Sequence, residues 1–554
     1  MDNITEKFQK VSARSDMTTA APFVSLPHPF ADPYDLHCYL GVSVIERIHE
    51  KAYTFRYASR DALSVSLVSG FLSWDNGKKM TKNENGVWEL LLTSENSLEG
   101  EAYKYKVTTE DGVFYRTDPF ARREEGKGGF ASVIATESFA ERGDAAWREQ
   151  LHEKCPLHIL EASSTSFATH ANKLPYEEGA SFSWRELGRG YAIYLKSTGY
   201  THLKLIARDY TESSSYFAPS PRHGTPEEFR QMITFLHRNG VGVIYSLPYP
   251  QNADDTALLL SASDHLLSYY GVDGIWFEAS RAFSQDEAER LLASLAVLKA
   301  RYPKATFGYD RVGGVSLYPD LLSRSFEREK ILTDHLALTP SERPSHQEKL
   351  VAALLEQDTL ASQSKALTRG GESSLMADFY GSYEQKFAES RLYYMLLAAS
   401  SGHKLSFMLS SLAPFRPWRD DLLPEWYMAD FKLHRAHRRF VRALNACYLR
   451  YPALFDRTST SLHYRSAENG VFSLQLTSGK DELLFVFNCS DTLFSDYTFP
   501  VPHPAYTELF SSDEESFAGE GYVHRLALHA HEGKLTLNLA PLSAVILQPK
   551  GSLA

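Results

Sequence analysis

Glu278 is the residue best placed to do chemistry in this chain. It ends the run Tyr270-Gly-Val-Asp-Gly-Ile-Trp-Phe-Glu278, in which Asp273-Gly274 turns the chain out of a helix and Ile275-Trp-Phe277 reads as a short buried strand. In an α/β barrel the C-terminal ends of the strands carry the reacting groups, so an acid there points to an enzyme. Trp276, two residues earlier, points the other way, because so bulky a side chain would fill the site. Other chemistries find no support. Gly313-Gly314 and Gly370-Gly371 lack P-loop or dinucleotide spacing, and neither HExxH nor Gly-x-Ser-x-Gly occurs. The histidines are scattered, so no metal site and no cofactor is expected.

The elements that must position Glu278 form three blocks. Residues 1–34 read as a leader with little structure. Over 35–125 the pattern is all-β: Tyr53–Tyr57, Leu63–Val68, Gly86–Leu92 and Ala102–Val107 alternate, with turn signals at Asp75-Asn-Gly77, Asn83-Glu-Asn-Gly86 and Glu110-Asp-Gly112. Over 126–455 strands alternate with helices. Leu157–Leu160, Leu203–Ile206, Val241–Tyr245 and Gly274–Phe277 are strands; Ser183-Trp-Arg-Glu186 has capping-box spacing, and Thr225-Pro226 opens a helix running to about Asn239. That alternation predicts a (β/α)8 TIM-type barrel. Over 456–554 short strands return (Gly470–Leu476, Glu482–Phe487, Leu535–Leu539), a C-terminal all-β sandwich. The expected fold is therefore multidomain: N-terminal β-sandwich, central barrel, C-terminal sandwich.

The bulk properties fit a soluble, cytoplasmic protein. Of 554 residues, 43% are hydrophobic and 13% aromatic, enough for real cores. The 58 basic and 69 acidic residues give a net charge of −11, which argues against nucleic-acid and anionic-membrane partners. Cys38, Cys155, Cys447 and Cys489 stand far apart, as reduced thiols in the cytosol would. The N-terminal segment has no apolar signal region, and no stretch approaches a membrane span. Lys432-Leu-His-Arg-Ala-His-Arg-Arg439 is a basic run on a helix, most simply a solvated face, with a protein contact as the alternative.

Longer motifs identify a relationship. Ser69-Gly-Phe-Leu-Ser-Trp-Asp75, Gly86-Val-Trp-Glu89, Glu99-Gly-Glu-Ala-Tyr-Lys-Tyr105 and Asp118-Pro-Phe120 resemble a family-48 carbohydrate-binding module. Tyr216-Phe-Ala-Pro-Ser-Pro-Arg-His-Gly-Thr-Pro-Glu-Glu-Phe229, Lys404–Trp418, Glu425-Trp426, Arg442-Ala-Leu-Asn445 and Tyr451-Pro-Ala-Leu454 resemble the 1,4-α-glucan branching enzymes of glycoside hydrolase family 13. The resemblance spans about residues 35 to 549. It implies a retaining glucan transferase, which needs a carboxylate nucleophile and a carboxylic acid about 5 Å apart.

Set against that family, the residues present depart from the pattern at every position compared. The resemblance puts the nucleophile, normally Asp, at Glu278 and its orienting Arg at Trp276. Glu reaches one methylene further than Asp, and a displacement of about 1 Å costs on the order of a hundredfold in rate. Loss of the Arg removes a bidentate partner for the carboxylate. The acid position falls on Tyr309, whose pKa of about 10 suits proton donation poorly; Asp310, one residue on, is the alternative acid. Sugar-binding positions implied by the resemblance fall on Ser246 and Gln251, and on Lys365 and Ala366. The loops after the second and third strands are shortened, and barrel function resides in such loops. In the N-terminal module Trp74 and Trp88 are candidates for stacking on sugar, though both also fit a sandwich core.

These readings predict a catalytically degenerate branching-enzyme homologue that binds α-glucan of the glycogen or starch type, or assists other glycogen-metabolism proteins. One alternative is an active branching enzyme with Glu278 as relocated nucleophile and Asp310 as acid. Another is a protein-interaction scaffold without sugar affinity.

Overall fold

The computed structural model describes residues 33–550 except 60, 127–128, 137–142, 151–155, 165–166, 168–181, 208–214, 249–255, 279–284, 310–320, 323–324, 358–359, 363–372 and 419–424. Leader residues 1–32 thus lie outside the described residues. The chain is anchored by Tyr34, which is buried against the barrel core.

Alternating strands build the N-terminal sandwich. One antiparallel sheet contains Gly41–Glu46, Lys51–Ala58, Thr81–Lys82 and Val87–Ser94; the other is centred on Ser64–Ser69 and Ala102–Thr109. Their inner faces pack Phe55, Tyr57, Leu67, Tyr103 and Tyr105 into one core. Trp88 belongs to this core. It pairs across the ladder with Tyr57 and is only 7% exposed, so of its two readings, sugar platform and sandwich core, the packing matches the core. Trp74 is half-buried.

The central block is one parallel sheet. Its strands are β1 (His158–Ser163), β2 (His202–Ile206), β3 (Gly242–Pro248), β4 (Gly274–Glu278), β5 (Thr306–Tyr309), β6 (Leu321–Leu322), β7 (Leu360–Ser362) and β8 (His403–Phe407). They pair in the order β6-β5-β4-β3-β2-β1-β8-β7, the neighbour order of a (β/α)8 barrel. Among the described residues no ladder joins β6 to β7. Three of the helices that cover the sheet matter below: α1 (Trp184–Thr198), α2 (Pro226–Arg238) and α3 (Lys432–Arg450). Both expected capping boxes form, with Ser183 and Thr225 accepting from the N–H groups of Glu186 and Glu228. Pro226 takes the first helical position, where its missing N–H costs nothing.

Two short sheets complete the chain. Ser459–Ser466, Val471–Ser478, Asp481–Asn488, Ala505–Ser511, Leu528–His529 and Ser543–Pro549 form the larger; Phe494–Pro500 pairs with Lys534–Leu539. Phe472, Phe485 and Phe487 share a core with barrel helices. Arg343 pins the junction: it is ion-paired with buried Glu389, and its Nη1–H donates to the Cys489 carbonyl at 2.9 Å. No helix among the described residues is long and apolar enough to cross a membrane.

Candidate functional site in the barrel interior

Alternation along the strands sorts their residues into two faces. Leu160 and Ala162, Leu203 and Leu205, Val243 and Tyr245, and Ile275 and Phe277 join the large core beneath the helices. On the opposite face Ile159, Ile244, Trp276 and Leu405 make a separate buried cluster, the inner core of the barrel. Two residues further toward the C-terminal ends, polar groups replace the apolar ones: Glu161 follows Ile159, Ser246 follows Ile244, and Glu278 follows Trp276. The interior thus has an apolar layer below and a polar layer above.

Lys204, on β2, ties the polar layer together. Its Nζ lies 3.4 Å from Glu161 Oε1 and 3.8 Å from Glu278 Oε1, and 4.2 Å from the centroid of the Trp276 ring. The lysine side chain is 3% exposed, Glu161 5% and Glu278 32%. Ser246 Oγ–H donates to Glu278 Oε1 at 2.7 Å. One ammonium therefore sits between two carboxylates with its remaining side covered by an indole face, an arrangement that offsets the desolvation of a buried cation. In place of the bidentate Arg expected beside the nucleophile position, a single point charge from another strand holds Glu278 and is shared with Glu161. Trp276 itself is buried in the apolar layer beneath.

A glycine makes room for that indole. Gly308 stands opposite Trp276 in the β4–β5 ladder, and a methyl built on it would lie 2.3 Å from Trp276 Cε3. Tyr309, at the position implied for the acid, pairs in register with Phe277 at the end of β5. Asp310, Gln251, Lys365 and Ala366 lie outside the described residues. So do stretches of the connections after β1 to β5.

The opposite end of β4 holds its frame. Asp273 accepts from Trp147 Nε1–H (2.8 Å), His237 Nε2–H (2.9 Å) and the Val243 N–H (2.7 Å). Gly274 is required next, since a Cβ there would lie 2.2 Å from the Thr306 carbonyl oxygen. His237 also donates through Nδ1–H to Asp144 Oδ2 at 2.8 Å and stacks on Trp147. Burial opposes its protonation, but the Asp273 charge and the two hydrogen bonds win and raise its pKa from 6.5 to about 9. A raised folded-state pKa gives stability that is complete below pH 6.5 and is lost as pH rises through about 9. The melting temperature should therefore fall across this alkaline window, and less steeply in His237→Gln; identical slopes would refute the assignment.

Lys204 and Glu161 were not anticipated from the sequence. The available signal is a charged residue inside a short apolar run, Leu203-Lys-Leu-Ile206 and His158-Ile-Leu-Glu161, at a position facing the barrel interior. Among the described residues no group of His, Cys, Asp and Glu could hold a metal ion.

Comparison with known proteins agrees with this architecture. Residues 39–121 match carbohydrate-binding module 48 (isoamylase N-terminal domain), and residues 463–550 match the alpha amylase C-terminal all-beta domain. The 1,4-alpha-glucan branching enzyme GlgB of Bacillus caldolyticus is 25% identical, covering 94% of this chain and 92% of that protein. GlgB of Aquifex aeolicus is 26% identical, covering 92% and 96%. Among solved structures, pullulanase type I from Bacillus subtilis, complexed with maltose, superposes with a TM-score of 0.68 at 13% identity, covering 92% of this chain and 85% of that one. A putative alpha amylase from Salmonella typhimurium gives 0.64 at 15% identity, covering 92% and 99%. Those two likenesses concern the fold. With matches to branching enzymes over more than nine-tenths of its length and a recognisable module at either end, the chain is a homologue of the 1,4-alpha-glucan branching enzymes.

Proposed function

We propose that this chain is a catalytically silent branching-enzyme relative that binds α-glucan, or assists the enzymes that handle it, in the cytosol. The observation that carries this reading is the Glu161–Lys204–Glu278 cluster over Trp276. A retaining transferase needs an aimed nucleophile with room for a sugar ring against it. Here the nucleophile position is tied to Ser246 and to a shared ammonium, and an indole fills the interior beneath it. Glucan as the ligand is supported by the branching-enzyme relatives and the family-48 module.

The iodine spectrum of amylose tests the silent reading, which expects no change over long incubation; a time-dependent blue shift would reject it. Co-sedimentation with glycogen then separates a glucan binder from a scaffold: protein found wholly in the supernatant removes the binder. One observation favours the active alternative, namely that Glu278 remains a partly exposed carboxylate at the strand end. If the blue shift appears, Glu278→Gln should abolish it; indifference to that change would reject Glu278 as nucleophile.

A further inference from the structure

The basic run flagged in the sequence divides on folding. His434, Ala436 and His437 turn inward, while Lys432, Arg435, Arg439 and Arg442 stay exposed on the outer face of α3. The spacing i, i+3, i+7, i+10 puts them in one row about 15 Å long. Helix α1 lies alongside. Arg438 covers the Tyr194 ring at 5.7 Å, and Asn445 Nδ2–H donates to the Thr198 carbonyl at 2.8 Å. These contacts fix the level of the two helices, so that Arg189 stands near the height of Arg435 and Lys196 near that of Arg442. The exposed residues of α1 are Arg185, Arg189, Ile193 and Lys196, a second basic row broken by one apolar side chain, 55% exposed.

Seven exposed cations thus form two rows on neighbouring helices, whose axes pack at about 8–10 Å. None is ion-paired with Asp or Glu among the described residues. Within the two helices the sole acid is Glu186, which is occupied in its capping box. Beyond them, the turn carrying Glu515 packs on α3, where Arg439 Nε–H donates to the Ser516 carbonyl. In a chain of net charge −11 this is a local inversion of sign, and potentials from charges spaced near the Debye length add.

We propose that the outer faces of α1 and α3 form a docking surface for an acidic segment of a partner protein. The strip is short and the rest of the molecule carries net negative charge. A long polyanion or a flat anionic membrane would extend past the strip and meet like charge, whereas an acidic peptide of a few helical turns fits within it. Ile193, within the α1 row, offers an apolar contact that a phosphate backbone would not use and an amphipathic peptide would.

The test uses the full chain and a fluorescein-labelled amphipathic peptide of alternating glutamate and leucine faces, followed by anisotropy at low and physiological salt. The wild type should bind it, with affinity falling steeply as salt rises. The triple variant Arg189→Glu, Arg435→Glu, Arg442→Glu should bind at least about tenfold more weakly with an unchanged melting temperature. If charge reversal unfolds the chain, the corresponding triple Gln variant replaces it, with a smaller loss in the same direction. Equal binding by wild type and variant overturns the proposal, as does no binding at low salt. Tighter binding of a short DNA duplex than of the peptide, lost in the variant, overturns it in favour of a nucleic-acid surface.

Discussion

Lys204→Met should cost about 3–5 kcal/mol of stability, read as a lower urea midpoint for the barrel transition. The reason lies in what the change leaves behind. Glu161 is 5% exposed and has Lys204 Nζ at 3.4 Å, so truncating the ammonium removes the nearby counter-charge of a buried carboxylate. Glu278 suffers less, being 32% exposed and still hydrogen-bonded by Ser246. Burying the pair in the first place carries a desolvation cost, so replacing both charges together should recover most of the loss. The double variant Lys204→Met, Glu161→Gln is expected within about 1–2 kcal/mol of wild type. Additive losses in the cycle would show that the two groups do not act as a unit.

Trp276→Ala should cost a similar amount, about 3–5 kcal/mol, because it empties the largest side chain of the inner core and removes the face on which the Lys204 ammonium rests. The complementary change is smaller. Gly308→Ala sets a methyl 2.3 Å from Trp276 Cε3 and should cost about 1–3 kcal/mol through overpacking. Combining Gly308→Ala with Trp276→Leu should cost less than the two single changes summed, since the smaller side chain yields the space. Equal melting temperatures for Gly308→Ala and wild type would mean that the indole is not held against β5. Trp276→Arg would set a second cation beside Lys204, so that change alone should destabilise the chain.

Much of the scaffold was legible because its signals are local. Ser183 with Glu186 and Thr225 with Pro226 and Glu228 satisfy helix ends within three residues, and Asp273-Gly274 is a turn signal directly at the start of β4. The interior was less legible because its partners come from different strands. Lys204 reads in sequence as one polar position in an alternating strand; only the ladder β1-β2-β3-β4 brings it between Glu161 and Glu278. Gly308 left no trace for a different reason: its role is the absence of a side chain opposite Trp276. Trp88 fits either a sugar platform or a sandwich core in sequence, and only its ladder partner Tyr57 places it in the core.

The proposed silence rests on Trp276 beneath Glu278 and on the Lys204 ammonium beside it. The direct measurement is the count of α-1,6 linkages formed in amylose, read from the anomeric region of the proton NMR spectrum after prolonged incubation with purified protein. The account predicts a spectrum indistinguishable from amylose alone. A growing α-1,6 signal that disappears in Glu278→Gln would contradict it and would make Glu278 the nucleophile of a working enzyme.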